Sequence, residues 1–110
     1  MVSKNLTIND YLLIDCDDDA IYLAKSKQDV LNYWKEHYGT PMELVGETDE
    51  EFLEGLRVLD LGSEEVNKIR TSIVEEVTDY TEEIRSYYDV YAYEAQFSDI
   101  LCKPILWYDI

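Results

Sequence analysis

Lysine and arginine are scarce in this sequence: nine residues of 110, against 25 Asp and Glu, for a formal charge of −16. That deficit excludes a nucleic-acid binder of the usual basic kind and any attraction to anionic membrane surfaces. Cysteine is almost as sparse. Cys16 and Cys102 belong to no cluster with zinc spacing, so no metal is expected. They read as two reduced, largely buried thiols in a cytoplasmic protein, and a disulfide between them would require neighbouring strands. The four glycines are scattered, which leaves no phosphate-cradling loop and no cofactor fingerprint. The single histidine, His37, sits where a helix C-terminus would favour a cation, a structural placement rather than a catalytic one. No apolar run approaches the roughly 18 residues that span a bilayer, and the first five residues lack the apolar core of a secretory signal.

What is present is the material of a packed core. The chain is 46% hydrophobic and holds ten tyrosines, which argues against the disorder that its charge alone would allow. Its length predicts one domain over residues 1–110. Small domains ordinarily keep net charge to roughly 2–8, because self-repulsion destabilises the compact state. A folded chain that tolerates −16 has a use for the field, and the natural counterpart of a strong negative field is a basic surface.

The elements can be placed from local signals. Tyr11–Ile14 and Ala20–Ala24 are apolar runs flanking Asp15-Cys16-Asp17-Asp18-Asp19, a turn-rich stretch, and predict a β-hairpin. Ser26, with Asp29 three residues on, predicts a helix whose face is Val30, Leu31, Trp34 and Tyr38, closed by Gly39 and stopped by Pro41. Thr48-Asp49-Glu50-Glu51 has the form of a capping box and opens a short helix ending near Val58. Ser63 caps a further helix. Its apolar residues recur at steps of three and four from Val66 through Ile73, Tyr80 and Ile84, which predicts a long helix over 64–86. Residues 87–93 fit both helical and alternating periods. Leu101–Tyr108 reads as a closing strand that Pro104 pushes to a sheet edge. The class expected is α+β: a small, mostly antiparallel sheet against two or three helices, one of them long and in the C-terminal half.

Two patterns invite a chemical reading and fail it. Asp15, Asp17 and Asp19 open like a calcium-binding loop, but Ala20 and Ser26 stand where that loop needs Gly and a bidentate Glu. The six residues Leu12–Asp17 also resemble the motif of haloacid dehalogenase-type phosphatases. The resemblance implies Asp15 as nucleophile and Asp17 as general acid. Asp19 stands where that family carries Thr or Val, a third carboxylate there opposes ionisation of the pair, and the chain is too short for that family's core. No catalytic residue is therefore assigned.

What remains is acidity interleaved with aromatic residues. Glu75, Glu76, Asp79, Glu82 and Glu83 recur at helical steps, and no Lys or Arg falls between Thr71 and Ile84. A solvated helix face normally mixes signs. An i to i+4 step rises about 6 Å, and phosphates on one DNA strand recur about every 3.4 Å, so a double row of carboxylates approximates a phosphate track. Tyr88 is the candidate aromatic anchor beside the stripe. A second cluster, Asp49, Glu50 and Glu51, lies in a segment with nine carboxylates and one Arg between Pro41 and Glu65.

In size, charge and composition the chain resembles the small acidic inhibitors that phages and mobile elements encode against host nucleases, of the anti-CRISPR and DNA-mimic type. The resemblance implies a non-catalytic protein, monomeric or homodimeric, without cofactor or metal. It implies action in the host cytoplasm on the basic surface of a Cas or other nuclease, and no binding to nucleic acid itself. The alternatives are an immunity protein or antitoxin that neutralises a basic toxin nuclease, or a phage protein-interaction domain.

Overall fold

A computed structural model describes residues 7–16, 19–68 and 86–107. At its centre is the expected hairpin. Strands β1 (Leu12–Cys16) and β2 (Ala20–Ala24) pair antiparallel, with Leu13 opposite Leu23 and Cys16 opposite Ala20. Every residue of β2 is buried, because helices cover both faces of the sheet, and this is why the strands read as continuous apolar runs rather than alternating ones. Asp15 and Cys16, expected in the turn, are instead the last residues of β1.

Two more strands complete an antiparallel sheet of order β3-β1-β2-β4. β3 (Arg57–Val58) pairs with β1, and β4 (Cys102–Trp107) pairs with β2. β4 lies at the edge, where Pro104 is tolerated. Ile21 faces Leu106 while Tyr22 faces Pro104, so Ile105 is an extra residue in β4. That bulge lets both Ile105 and Leu106 join the same core cluster. Cys16 and Cys102 are both free and buried. They sit at opposite ends of β2 on strands that do not touch, about 16 Å apart by strand geometry, which rules out a disulfide between them.

The helices take their starts from side-chain caps. On α1 (Lys27–His37) the Ser26 side chain accepts from the Asp29 amide, as the sequence predicts. Val30, Leu31 and Trp34 face the sheet, and Tyr38, the C-cap, is largely exposed. Gly39, at φ +145°, donates back to the Trp34 carbonyl. Pro41 does more than end this helix: it opens α2 (Pro41–Val45), where Thr40 and Glu43 form a capping box and Gly46 closes the turn at φ +72°. α3 (Asp49–Gly55) has the expected Thr48–Glu51 box. It stops before Val58, because Leu56 turns extended and the next two residues enter β3.

Ser63 caps α4 as expected, but α4 (Glu64–Asn67) is a single turn, and Lys68 is already extended with ψ 131°. The rest of the expected 64–86 helix lies outside the described residues up to Ser86. Ser86 is an N-cap, and residues 87–97 form α5 (Tyr87–Phe97). Of the two periods that Tyr87–Tyr93 fits, the helical one holds, with Val90, Tyr91 and Ala95 buried along one face.

The result is an α+β fold with a sheet between two helical layers. On one face, α1 and α3 pack on Ile14, Cys16, Ala20, Tyr22 and Ala24. On the other, α4 and α5 pack on Leu13, Ile21 and Leu23 with Leu59 and Leu61. The segment before β1 is pinned to α5: the Tyr91 hydroxyl accepts from the Ile8 amide (2.8 Å) and donates to the Tyr11 carbonyl (2.7 Å). Asn9 and Asp10, both at positive φ, make the tight turn between these contacts.

Asp15 is the charged group inside this core. Its side chain is 3% exposed and meets Arg57, its cross-strand partner, at 2.8 Å. Arg57 also holds Glu65 of α4 through both terminal nitrogens, at 2.9 and 3.0 Å. These two carboxylates raise the Arg57 pKa further. Removing the cation leaves a buried carboxylate without its ion-pair partner. Arg57→Met should therefore cost about 2–3 kcal/mol in urea unfolding, whereas Lys35→Met, which breaks an exposed pair with Asp49, should cost about 0.5 kcal/mol or less.

Candidate partner-binding surface

The acidic segment between α1 and β3 is built by its own carboxylates. From Glu36 to Leu56 the chain has seven Asp and Glu and no Lys or Arg. Three of the seven are committed locally. The Glu43 carboxylate accepts from the Thr40 amide (3.1 Å) and hydroxyl (2.9 Å). The Glu51 carboxylate accepts from the Thr48 amide (2.9 Å). Asp49 pairs with Lys35 of α1 at 2.6 Å. Of the predicted trio Asp49, Glu50 and Glu51, Glu50 is thus the one directed outward without a described partner. Glu54 is exposed one helical turn on, and Glu36 is exposed near the end of α1.

Beside these carboxylates lies an apolar strip that the sequence reading missed. Met42 is 55% exposed, and Tyr38, Leu44 and Val45 are exposed as well. The signal was present: Thr40-Pro41-x-Glu43 is a capping box with Pro at the first helical position. This one-and-a-half-turn helix exposes three large apolar residues, Met42, Leu44 and Val45, beside exposed Glu43.

The other predicted residues fall elsewhere. Glu75, Glu76, Asp79, Glu82 and Glu83 lie outside the described residues. Tyr88 is on the first turn of α5, half-buried, with its ring 5.7 Å from that of Tyr91 and packed against the core. The structure therefore does not bring Tyr88 and the Asp49–Glu51 cluster together: they belong to helices on opposite faces of the sheet.

Asp15, where a phosphatase-like reading would put the nucleophile, is buried and ion-paired, a placement that closes it to substrate. Asp19 accepts a hydrogen bond from the Tyr22 hydroxyl. Burial first, and Asp19 second, push the Tyr22 phenol well above the ordinary range. The Trp34 indole N–H, buried, lies near enough to favour the ionised phenol slightly, yet makes no hydrogen bond among the described residues. Among those residues no three His, Cys, Asp or Glu side chains converge to hold a metal ion. No helix among them is long and apolar enough to cross a membrane.

Compared with protein-family models, curated proteins and solved structures, the chain matches none.

The capping carboxylates carry a pH signature. Hydrogen bonds from the Thr40 backbone and side chain hold Glu43 below the usual carboxylate range. A depressed carboxylate contributes stability that is complete above its unfolded pKa, about 4.3, and is lost as pH falls through the lower folded value. The side-chain carboxyl resonance of Glu43 should titrate below that of an unstructured Glu, and Thr40→Ala, which removes the hydroxyl but keeps the amide donor, should move it only part of the way back.

Proposed function

We propose that this chain is a non-catalytic inhibitor that occupies the basic nucleic-acid-binding groove of a nuclease, a Cas enzyme or another host nuclease, with acidic side chains standing in for phosphates. The observation that carries this reading is uncompensated acidity held on folded elements. The chain bears −16 in all, and 21 consecutive residues from Glu36 to Leu56 have no Lys or Arg. Over that stretch capping boxes at Glu43 and Glu51 fix two short helices, the second of which carries Glu50 and Glu54. Charge of one sign on preorganised elements is what a preformed basic groove selects, because little ordering cost is left at binding. The stripe Glu75, Glu76, Asp79, Glu82 and Glu83, outside the described residues, adds five carboxylates of the same sign. The exposed apolar strip on α2 supplies contact area that phosphates alone would not.

The test uses purified Cas nucleases, restriction enzymes and toxin nucleases, the last because an immunity protein would use the same chemistry. Against the inhibited member, the variant Glu76→Gln/Asp79→Asn/Glu83→Gln should inhibit at least about tenfold less well, since each desolvated charge contact is worth on the order of 1 kcal/mol or more. The set Glu47→Gln/Glu50→Gln/Glu54→Gln reports on the α3 surface while leaving both capping boxes and the Lys35 pair intact. Loss with this set and not the first would move the interface to α3. Inhibition should also weaken about tenfold or more as salt is raised, and the chain alone should retain no DNA. Inhibition indifferent to salt and to both charge sets would overturn the reading.

A further inference from the structure

On the flank of α1 away from α3, a groove of about 650 Å³ opens between the helix and the loop that leads into β4. Its helix wall carries Asp29, Tyr33, Glu36 and His37, and its loop wall carries Asp99, Ile100 and Leu101. The Tyr33 and His37 rings are in tilted contact, 4.1 Å between centroids and 31° between planes, and put two aromatic rings on the helix wall. At the base is Cys102, buried, its thiol pushed up to about 12 by burial and by Asp29, so the floor is uncharged at neutral pH. Ile100 and Leu101 are 44% and 67% exposed on the rim. The charge of the walls is one-sided. Asp29, Glu36 and Asp99 have no Lys or Arg partner among the described residues, while Lys103, the cation of the lining, is already held by Glu94 of α5.

We propose that this groove is a binding site for an arginine side chain of an extended basic segment in a protein partner. A guanidinium is planar, weakly hydrated and able to lie on an aromatic face while donating in-plane hydrogen bonds to carboxylates. The Tyr33–His37 ring pair, together with carboxylates on both walls that have no Lys or Arg partner among the described residues, matches that combination. A lysine would gain the charge but not the stacking. An apolar residue next to the arginine in the same segment would cover Ile100 and Leu101. The proposal rests on the reading that the partner is a basic protein, and it adds a second anchor on the opposite flank of α1 from the acidic α2–α3 surface.

The experiment titrates the full chain with acetyl-Gly-Leu-Arg-Leu-Arg-Gly-amide, following the Tyr33 ring and the Ile100 and Leu101 methyl groups by NMR. The same peptide with citrulline at both arginine positions keeps the shape and removes the charge. The arginine peptide should shift these groove resonances, and the citrulline peptide should bind at least about tenfold more weakly. Glu36→Gln/Asp99→Asn, both exposed and outside the core, should weaken the arginine peptide about fivefold or more. Glu50→Gln/Glu54→Gln on α3 should change it less than about twofold, as distant exposed charges are screened. Groove resonances that do not move, equal binding of the citrulline peptide, or equal weakening by the α3 pair would each overturn the proposal. Nuclease inhibition retained by Glu36→Gln/Asp99→Asn alongside a failed titration would sink the groove and leave the inhibitor reading standing. A successful titration with no nuclease inhibited would do the reverse.

Discussion

Burial of the β1–β2 hairpin on both faces is the constraint on which the rest of this molecule depends. A chain at −16 pushes itself apart. What opposes the repulsion is a central strand with no exposed residue, clamped between Val30, Leu31, Trp34 and Phe52 on one side and Val90, Tyr91, Leu61 and Val66 on the other. Each large side chain so buried contributes about 1.5–3 kcal/mol, whereas exposed like charges separated by more than a Debye length of about 8 Å are largely screened. Burial of this hairpin therefore offsets the repulsion of an acidic surface.

The acidity is divided between two kinds of work. Some carboxylates hold the fold: Asp15 and Glu65 secure Arg57, Glu43 and Glu51 close capping boxes, Asp49 ties α3 to α1, and Glu94 ties α5 to β4. Others, such as Glu36, Glu50, Glu54 and Asp99, are exposed with no described partner. The first group explains how a strongly acidic chain can order short helices, since a carboxylate in the first turn both satisfies free amides and complements the helix dipole. On the reading proposed above, the second group meets the partner. α1 lies between the two surfaces proposed to do so, with α3 on one flank and the loop before β4 on the other.

The features legible in the sequence are those written in local spacing. Ser26, Thr48 and Ser63 cap helices because a side-chain oxygen reaches an amide three residues on, a relation visible in the residues themselves. The hairpin and the edge placement of β4 follow from short apolar runs and from Pro104. The features that were not legible depend on distant partners. Asp15 looked like a turn residue because Arg57, which neutralises it, is 42 residues away. Helix α5 could not be separated from a strand, since Tyr87 and Tyr91, four residues apart, share a face in either period; Ser86, bonded to the Asp89 amide, decides it. The extended Lys68 that ends α4 is not marked by Gly or Pro. The groove exists only because the loop 99–101 and the start of β4 return beside α1, a contact set by the pairing of β4 with β2.

The central claim is that acidic side chains occupy a groove made for nucleic acid. The most direct measurement is equilibrium competition on an inhibited nuclease with its catalysis disabled: labelled nucleic-acid substrate is prebound, and the chain is titrated in at fixed salt. The account predicts mutually exclusive binding, with full displacement of the substrate and an apparent affinity that falls in proportion to added competitor nucleic acid. A stable ternary complex holding nuclease, nucleic acid and this chain together would contradict it.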